Sequence, residues 1–130
     1  MSLKQNMVGW FEIPVLNMDR AIRFYEMMFL LKLIKKPVGP LEMAWFPSDE
    51  SWIGASGSLV RHPEHYSPSS KDGVLIYFTS PSGDLANELA RVEDAGGRII
   101  QPKTFIAENI GSMALFFDSE GNRLALHSRD

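Results

Sequence analysis

Two titratable side chains, Glu12 and His127, lie on predicted strands near the two ends of the sequence. A carboxylate in a cleft with aromatic walls can have a raised pKa, and it then acts as a base or anchors a ligand. A histidine changes charge near neutral pH, so it can act as an acid–base group or donate a hydrogen bond. Glu12 and His127 are therefore the candidate catalytic residues. The simpler interpretations are a solvated or paired carboxylate at Glu12 and a structural hydrogen bond at His127.

One short segment looks like a metal-binding motif at first sight. His62, Pro63, Glu64 and His65 place two histidines three positions apart along the chain. The helical zinc motif needs a spacing of about four positions, and a proline between the histidines disfavours that helix. The surrounding residues 62–71 are polar and rich in Pro and Ser. We interpret this segment as a solvated loop.

The elements that must position the candidate residues occur twice in the chain. Gly9–Val15 predicts a strand that leads into a helix beginning near Asn17. Roughly 65 residues later, Gly73–Thr79 leads in the same way into a helix beginning near Asp84, which is typical of an internal repeat. Short strands follow each helix. This duplication predicts one domain, residues 1–130, with a cleft between the two copies.

The boundaries of the two copies come from the positions of strands and turns. Module one is predicted to cover residues 5–61, a linker residues 62–71, and module two residues 72–130. After the two helices, we predict strands near residues 31–35, 43–46, 53–60, 98–100, 113–117 and 123–128.

Composition and charge exclude several classes of function. The chain has no cysteine, which excludes disulfides, thiolate metal ligands and a cysteine nucleophile. A formal net charge of -3 at pH 7 and the lack of a basic stripe argue against a nucleic-acid partner. No apolar run approaches a membrane span, and no signal-peptide pattern is present. We therefore predict a cytoplasmic protein without a membrane partner.

The alternation along the first strand predicts which side chains face the cleft. Phe11, Ile13 and Val15 share the face toward the helix, whereas Trp10 and Glu12 share the opposite face. Small-molecule sites are mostly apolar with a few polar anchors. The candidate ligand-binding residues on this basis are Trp10, Glu12, Ile76, Phe78, Phe116 and His127, with Trp45 and Trp52 as weaker candidates. The alternative interpretation is that these aromatic side chains simply fill the core.

Several segments resemble a known family. Phe11–Val15 followed by Met18–Glu26 resembles the opening of the vicinal-oxygen-chelate proteins, the superfamily of glyoxalases, bleomycin resistance proteins and extradiol dioxygenases. The helix end Ala95–Gly97 and the closing run Phe117–His127 are similar to this family as well. The resemblance implies an α+β, glyoxalase-like fold with two βαβββ modules paired around a cavity. Leu30 stands where the family usually has glycine, which implies a different or a modestly strained helix end.

The resemblance also identifies the positions of the family's metal ligands. In the metal-using members, His, Glu or Gln side chains from the first and last strand of each module hold one divalent cation, which acts as a Lewis acid. In this sequence those positions fall at Trp10, near Gly57, at Val74 and at Ala125. None of these side chains can ligate a hard cation. We therefore expect no metal at this place and no other cofactor.

Three functions remain open on this evidence, and so does the question whether the chain is an enzyme. The first is a protein that binds a small, partly apolar molecule between the modules, as drug-sequestering members of the family do without a metal. The second is a metal-dependent lyase or isomerase resembling lactoylglutathione lyase. The third is a non-catalytic interaction module. Family members often pair, and unpaired strand edges favour association, so a homodimer is also expected.

Overall fold

Each half of the chain forms a strand, a helical region and three further strands. The computed structural model describes residues 4–130. Module one consists of β1 (Trp10–Pro14), α1 (Met18–Phe29), β2 (Ile34–Lys35), β3 (Glu42–Trp45) and β4 (Ser56–Arg61). Module two consists of β5 (Tyr77–Thr79), α2 (Leu85–Leu89), α3 (Val92–Ala95), β6 (Arg98–Ala107), β7 (Gly111–Phe117) and β8 (Arg123–Ser128). The predicted α+β class is confirmed.

The strands form two four-stranded sheets with matching order. Sheet one runs β1-β4-β3-β2 and sheet two runs β5-β8-β7-β6. In both sheets the first strand of the module is parallel to its last strand, and the remaining pairs are antiparallel. The Val15 N–H donates to the Val60 carbonyl over 2.9 Å, and the Ser80 N–H donates to the His127 carbonyl over 2.8 Å. These equivalent bonds align the two copies residue by residue.

Helix α1 begins and ends where its sequence indicates. The Asn17 side chain accepts a hydrogen bond of 3.0 Å from the Arg20 N–H and so caps the first turn. Apolar residues at helical spacing form one buried stripe: Met18, Ala21, Phe24, Tyr25, Met28 and Phe29. The helix ends at Leu30, whose φ of 54° and ψ of 50° lie in the left-handed region. Of the two expected helix ends, a different one or a strained one, the structure shows the strained end at Leu30.

The second helical region differs from its prediction. One helix was expected from Asp84 to Gly96, and Asp84 does cap its start by accepting from the Ala86 N–H over 3.0 Å. The chain then departs from helical geometry at Arg91, where φ is -95° and ψ is -8°. The Arg91 Nε donates to the Met28 carbonyl at the end of α1 over 2.8 Å. This tertiary contact accompanies the division into α2 and α3.

Two strands differ in length from their predictions. β6 continues to Ala107, well beyond residue 100, and its pairing with β7 contains three register shifts. Such irregularities interrupt the two-residue period by which a strand is recognised in a sequence. β5 is shorter than predicted and begins only at Tyr77.

One hydrophobic core lies on the helix-facing side of both sheets. Phe24 of α1 stacks on Phe116 of β7 with ring centroids 6.3 Å apart. Phe78 of β5 lies 5.8 Å from Phe11 of β1 and 5.1 Å from Phe29 of α1. The two modules therefore share this core. No helix within residues 4–130 is long and apolar enough to cross a membrane.

The turn between β7 and β8 joins module two to module one through polar contacts. The Tyr25 hydroxyl donates to Asp118 Oδ2 over 2.5 Å. Glu120 Oε1 accepts from the backbone N–H groups of Leu16 and Asn17, both over 2.8 Å. The Asn122 side-chain amide donates to a backbone carbonyl at the end of β1 over 2.8 Å. These bonds hold the start of α1 against the turn.

Candidate functional site

The face of sheet one that points away from α1 carries the main group of candidate side chains. Register places Glu12 of β1 beside Ser58 of β4, and Ser58 opposite Trp45 of β3. Residues paired in this way project from the same side of a sheet. Trp10 lies two residues before Glu12 and therefore on the same side. We call this surface the module-one face and define it by Trp10, Glu12, Trp45 and Ser58.

Glu12 lies among aromatic side chains that donate hydrogen bonds to it. The Tyr66 hydroxyl donates to Glu12 Oε1 over 2.6 Å, and the Trp10 indole N–H donates to Glu12 Oε2 over 3.3 Å. The bond to the carboxylate, together with burial, raises the pKa of Tyr66 above its usual value. Within residues 4–130, Glu12 forms no ion pair with a basic side chain. Its charge is therefore balanced by neutral donors alone.

The two tryptophans of the module-one face contact each other. Their rings meet edge to face with centroids 5.0 Å apart and planes at 66°. Lys36 Nζ lies 4.3 Å from the centroid of the Trp45 ring, within the range of a cation–π contact. Trp10 is 40 % exposed. It thus presents an aromatic surface to solvent beside a carboxylate.

Two polar atoms of this face are buried without a hydrogen-bond partner among the described residues. They are Trp45 Nε1 and Ser58 Oγ. Buried polar groups are almost always paired, so such atoms call for an explanation. Both belong to neighbouring positions in the register of β3 and β4.

His127 belongs to the corresponding face of sheet two. Its Nε2 lies 2.6 Å from the Ile110 carbonyl oxygen, which is the structural hydrogen bond that the simpler interpretation of this residue expected. Register places Tyr77 beside Ala125 and Thr79 beside His127. In the part of the chain that the structure describes, no hydrogen bond joins Glu12 to His127. The two candidate catalytic residues thus have separate sets of partners.

Three of the predicted wall residues lie in the core instead. Phe116 is fully buried against Phe24, and Phe78 packs among the aromatic rings of α1 and sheet one. Ile76 packs against the same core. The prediction placed Ile76 and Phe78 on the cleft side because it assumed that β5 aligns with β1 one residue earlier. In a strand, a shift of one residue reverses every side chain.

Two surface hollows lie away from the module-one face. One of about 470 Å³ follows the outer side of α1 and is lined by Asp19, Ile22, Arg23, Glu26, Met27 and Lys32. Another of about 550 Å³ lies between residues 4–7 and 53–54. Both are shallow and solvent-open. The module-one face is therefore identified by its side-chain chemistry and not by its volume.

The segment of His62 and His65 forms no metal site. The two imidazole rings stack with centroids 4.8 Å apart, and His62 Nδ1 accepts from the Glu64 N–H over 3.1 Å. Within residues 4–130, no three His, Cys, Asp or Glu side chains are grouped closely enough to hold a metal ion. The segment is a loop between the sheets.

The sequence matches the family model of the Glyoxalase/Bleomycin resistance protein/Dioxygenase superfamily over residues 7–126. The chain belongs to this superfamily. The resemblance inferred from its opening and closing segments is confirmed. No protein among the curated sequences matches the chain.

Solved structures of the superfamily share the fold. A glyoxalase/bleomycin resistance protein/dioxygenase domain from Frankia sp. EAN1pec is 18% identical, with a TM-score of 0.72 over 96% of this chain and 98% of its own. TnmS3, an antibiotic binding protein from Streptomyces sp. CB03234, is 23% identical, with a TM-score of 0.65 over 99% and 100%. Glyoxalase I from Zea mays is 18% identical, with a TM-score of 0.66 over 92% of this chain. The chain spans 45% of the length of that maize protein. The predicted glyoxalase-like fold is confirmed.

Alignment of the two copies corrects two of the superfamily ligand positions. The hydrogen bonds that end β1 and β5 make Leu75, and not Val74, the counterpart of Trp10. Those same bonds make Ser58 the counterpart of Ala125. Gly57 faces the core, because a Cβ added to it would lie 2.6 Å from ring carbons of Phe11, which packs against the core.

The corrected positions still do not fit a divalent cation. Trp10, Leu75 and Ala125 have no side-chain atom that ligates a hard metal, and the Ser58 hydroxyl is a weak ligand. These four positions therefore do not provide the ligands that the metal of the superfamily would need for catalysis.

Sequence reasoning missed Tyr66 and gave no role to Ser58. Tyr66 comes from the linker, and nothing in a polar loop indicates which side chain will reach β1. Ser58 could have been predicted, because it occupies in module one the position that Ala125 occupies in module two. The glycines near Ser58 made the register of the strand hard to assign from the sequence.

Proposed function

We propose that this chain is a metal-independent binding protein of the glyoxalase superfamily. It holds a small, partly apolar molecule against the module-one face. One observation carries the proposal: Trp10 and Tyr66 donate hydrogen bonds to the Glu12 carboxylate, and Trp45 packs against Trp10, where the superfamily's metal-using members bind a cation. A planar ligand would stack on Trp10, and Glu12 would receive a donor group from it.

The similarity to TnmS3 supports this proposal. That protein is named as antibiotic-binding, and it matches nearly the whole of this chain. Its identity of 23% supports a shared fold, so the chemical nature of the ligand must come from the side chains of this chain. The module-two residues Tyr77 and His127 are proposed as a secondary surface, since Tyr77 is 50% exposed. A cytoplasmic location stays a prediction.

The binding proposal is tested by thermal shift with a panel of small planar aromatic compounds. A ligand that binds only the folded state raises the melting temperature in proportion to the logarithm of its concentration. We expect some compounds of this panel to bind. Trp10→Ala should lower their affinity about tenfold, which corresponds to about 1.4 kcal/mol of binding free energy. Titration of tryptophan fluorescence gives the dissociation constants.

Trp52→Ala is the matched control for this experiment. Trp52 is 61% exposed and has no ring contact with Trp10 or Trp45 in the described structure. Its removal should leave affinity unchanged. Equal losses in the two variants, or no compound that shifts the melting temperature, would contradict the proposal.

The competing proposal is a metal-dependent lyase or isomerase, supported by the similarity to maize glyoxalase I. It requires a divalent ion, which the four corrected positions do not favour. Metal analysis of the purified protein after incubation with nickel or zinc separates the two functions. One bound equivalent per chain, lost on mutation of Glu12, would favour the lyase.

A further inference from the structure

Trp45 Nε1 and Ser58 Oγ form a pair of unsatisfied polar atoms on the module-one face. Their residues lie directly opposite each other in β3 and β4. Within residues 4–130, these are the buried side-chain nitrogen and oxygen atoms that lack a partner. Ser58 itself is fully buried. Because the two atoms belong to residues at paired positions, we treat them as one polar site.

The chemistry of the pair defines what can satisfy it. An indole N–H can only donate a hydrogen bond, whereas a hydroxyl can donate or accept one. A single ligand atom that serves both must therefore accept a hydrogen bond from the indole N–H, and it can also accept one from the hydroxyl. A carbonyl oxygen meets this requirement.

The charges around the pair favour a neutral acceptor. Glu12 lies beside Ser58 on one side, and Lys36 lies over Trp45 on the other. An anionic group would approach the Glu12 carboxylate, which no basic side chain neutralises in the described structure. A ketone or quinone-type carbonyl brings the acceptor without the negative charge.

Trp10 is the partly exposed aromatic side chain next to the pair. Its ring lies edge to face with Trp45 and is 40% exposed. A planar ring that reaches the pair beside Trp45 would contact the Trp10 ring with its face.

We propose that the ligand of the module-one face is a planar aromatic molecule with a neutral carbonyl oxygen, which accepts hydrogen bonds from Trp45 Nε1 and Ser58 Oγ. This inference rests on the proposed binding function and specifies the ligand class. It assigns Trp45 and Ser58 as the residues that determine specificity.

A matched pair of probes tests the inference. 9-Fluorenone and fluorene have nearly the same planar shape and differ in one carbonyl oxygen. We expect the full chain to bind 9-fluorenone about tenfold more tightly than fluorene, measured by tryptophan fluorescence. Trp45→Phe and Ser58→Ala should each reduce this ratio toward one.

Nuclear magnetic resonance of the indole N–H groups gives a readout that a purely structural role would not change. The chain has three tryptophans, so three indole signals are expected, and Trp45→Phe identifies one of them. That signal should move downfield with 9-fluorenone and much less with fluorene. Ser58→Ala should keep or raise the melting temperature of the free protein, because it removes an unsatisfied hydroxyl.

The outcomes separate this inference from the proposal beneath it. Equal affinities for the two probes, or an unmoved Trp45 signal with 9-fluorenone bound, would overturn the carbonyl assignment and leave binding at this face intact. A marked loss of stability in Ser58→Ala would also overturn it, since the hydroxyl would then have a structural partner. If neither probe binds, both proposals fail for planar aromatic ligands.

Discussion

Single residues decide the chemistry of the module-one face. Glu12 was predicted from strand alternation, which needs only the two-residue period. Tyr66, which donates to Glu12, could not be predicted, because its position depends on the path of a loop over the sheet. The placement of Trp45 beside Ser58, whose Nε1 and Oγ are buried, likewise depends on the register between β3 and β4.

Leu30 carries backbone strain that one substitution should remove. A left-handed conformation costs a residue with a Cβ about 1–2 kcal/mol, whereas glycine adopts it freely. Leu30 is 71% exposed, so little packing is lost with its side chain. Glycine also increases the conformational entropy of the unfolded chain, and this offsets part of the gain from relieved strain. We therefore expect Leu30→Gly to raise the free energy of unfolding by about 0.5–1 kcal/mol, measured by urea denaturation.

Met27→Gly is the control for the Leu30 variant. Met27 is also partly exposed, but it lies within α1, where glycine is unfavourable by about 1 kcal/mol. It should lower the free energy of unfolding. If Leu30→Gly also lowered it, the left-handed helix end would not be strained.

Secondary-structure elements were predictable to different degrees. α1 followed its apolar stripe and its Asn17 cap, because both signals are local in sequence. The division between α2 and α3 accompanies a contact from Arg91 to the carbonyl of Met28, which lies far away in the chain. β6 was underestimated because its irregular pairing with β7 masks the strand period.

The edge strand β6 bears on the predicted homodimer. Among the strands that the structure describes in residues 4–130, it pairs with β7 alone, and it exposes Ile100, Phe105 and Ile106. Unpaired edges with apolar side chains favour association with a second chain. We expect sedimentation equilibrium to give about twice the 14.6 kDa mass of one chain. A mass of one chain at concentrations of about 100 µM would contradict the prediction.

At the scale of the whole molecule, the turn after β7 fastens module two to α1 through buried polar groups. Burial alone would raise the pKa of Glu120, but the bonds from Arg20, Asn17, Ser119 and Leu16 outweigh it and lower the pKa to about 2. The Arg20 Nε lies 2.7 Å from the carboxylate. Glu120 therefore stabilises the folded chain in its charged form.

The pH dependence of stability follows from this lowered pKa. The unfolded value is 4.5, so the contribution of Glu120 is complete above that pH and is lost as pH falls toward about 2. Glu120→Gln should cost about 2–3 kcal/mol at pH 7 and about half of that at pH 3, because one pKa unit corresponds to about 1.4 kcal/mol and pH 3 lies about one unit above the folded pKa. Urea denaturation at both pH values measures the difference.

The neighbouring Asp118 affects the pH dependence of stability in the opposite direction, so its contribution must be distinguished from that of Glu120. Burial raises the pKa of Asp118 despite its bonds from Tyr25 and Asn122, so its protonation favours the folded state as pH falls. Asp118 remains in both proteins, and its contribution largely cancels in their difference. A difference between wild type and Glu120→Gln that is the same at pH 7 and pH 3 would contradict the assignment.

The sequence by itself determined the duplication, the helix cap of α1 and the superfamily, since all of these depend on residue identity and short-range spacing. Only the tertiary structure decided which face Phe78 takes and which linker residue meets Glu12. It also decided which two polar atoms are buried without partners. These features depend on the alignment of strands that are distant in sequence, where a shift of one residue exchanges core and surface.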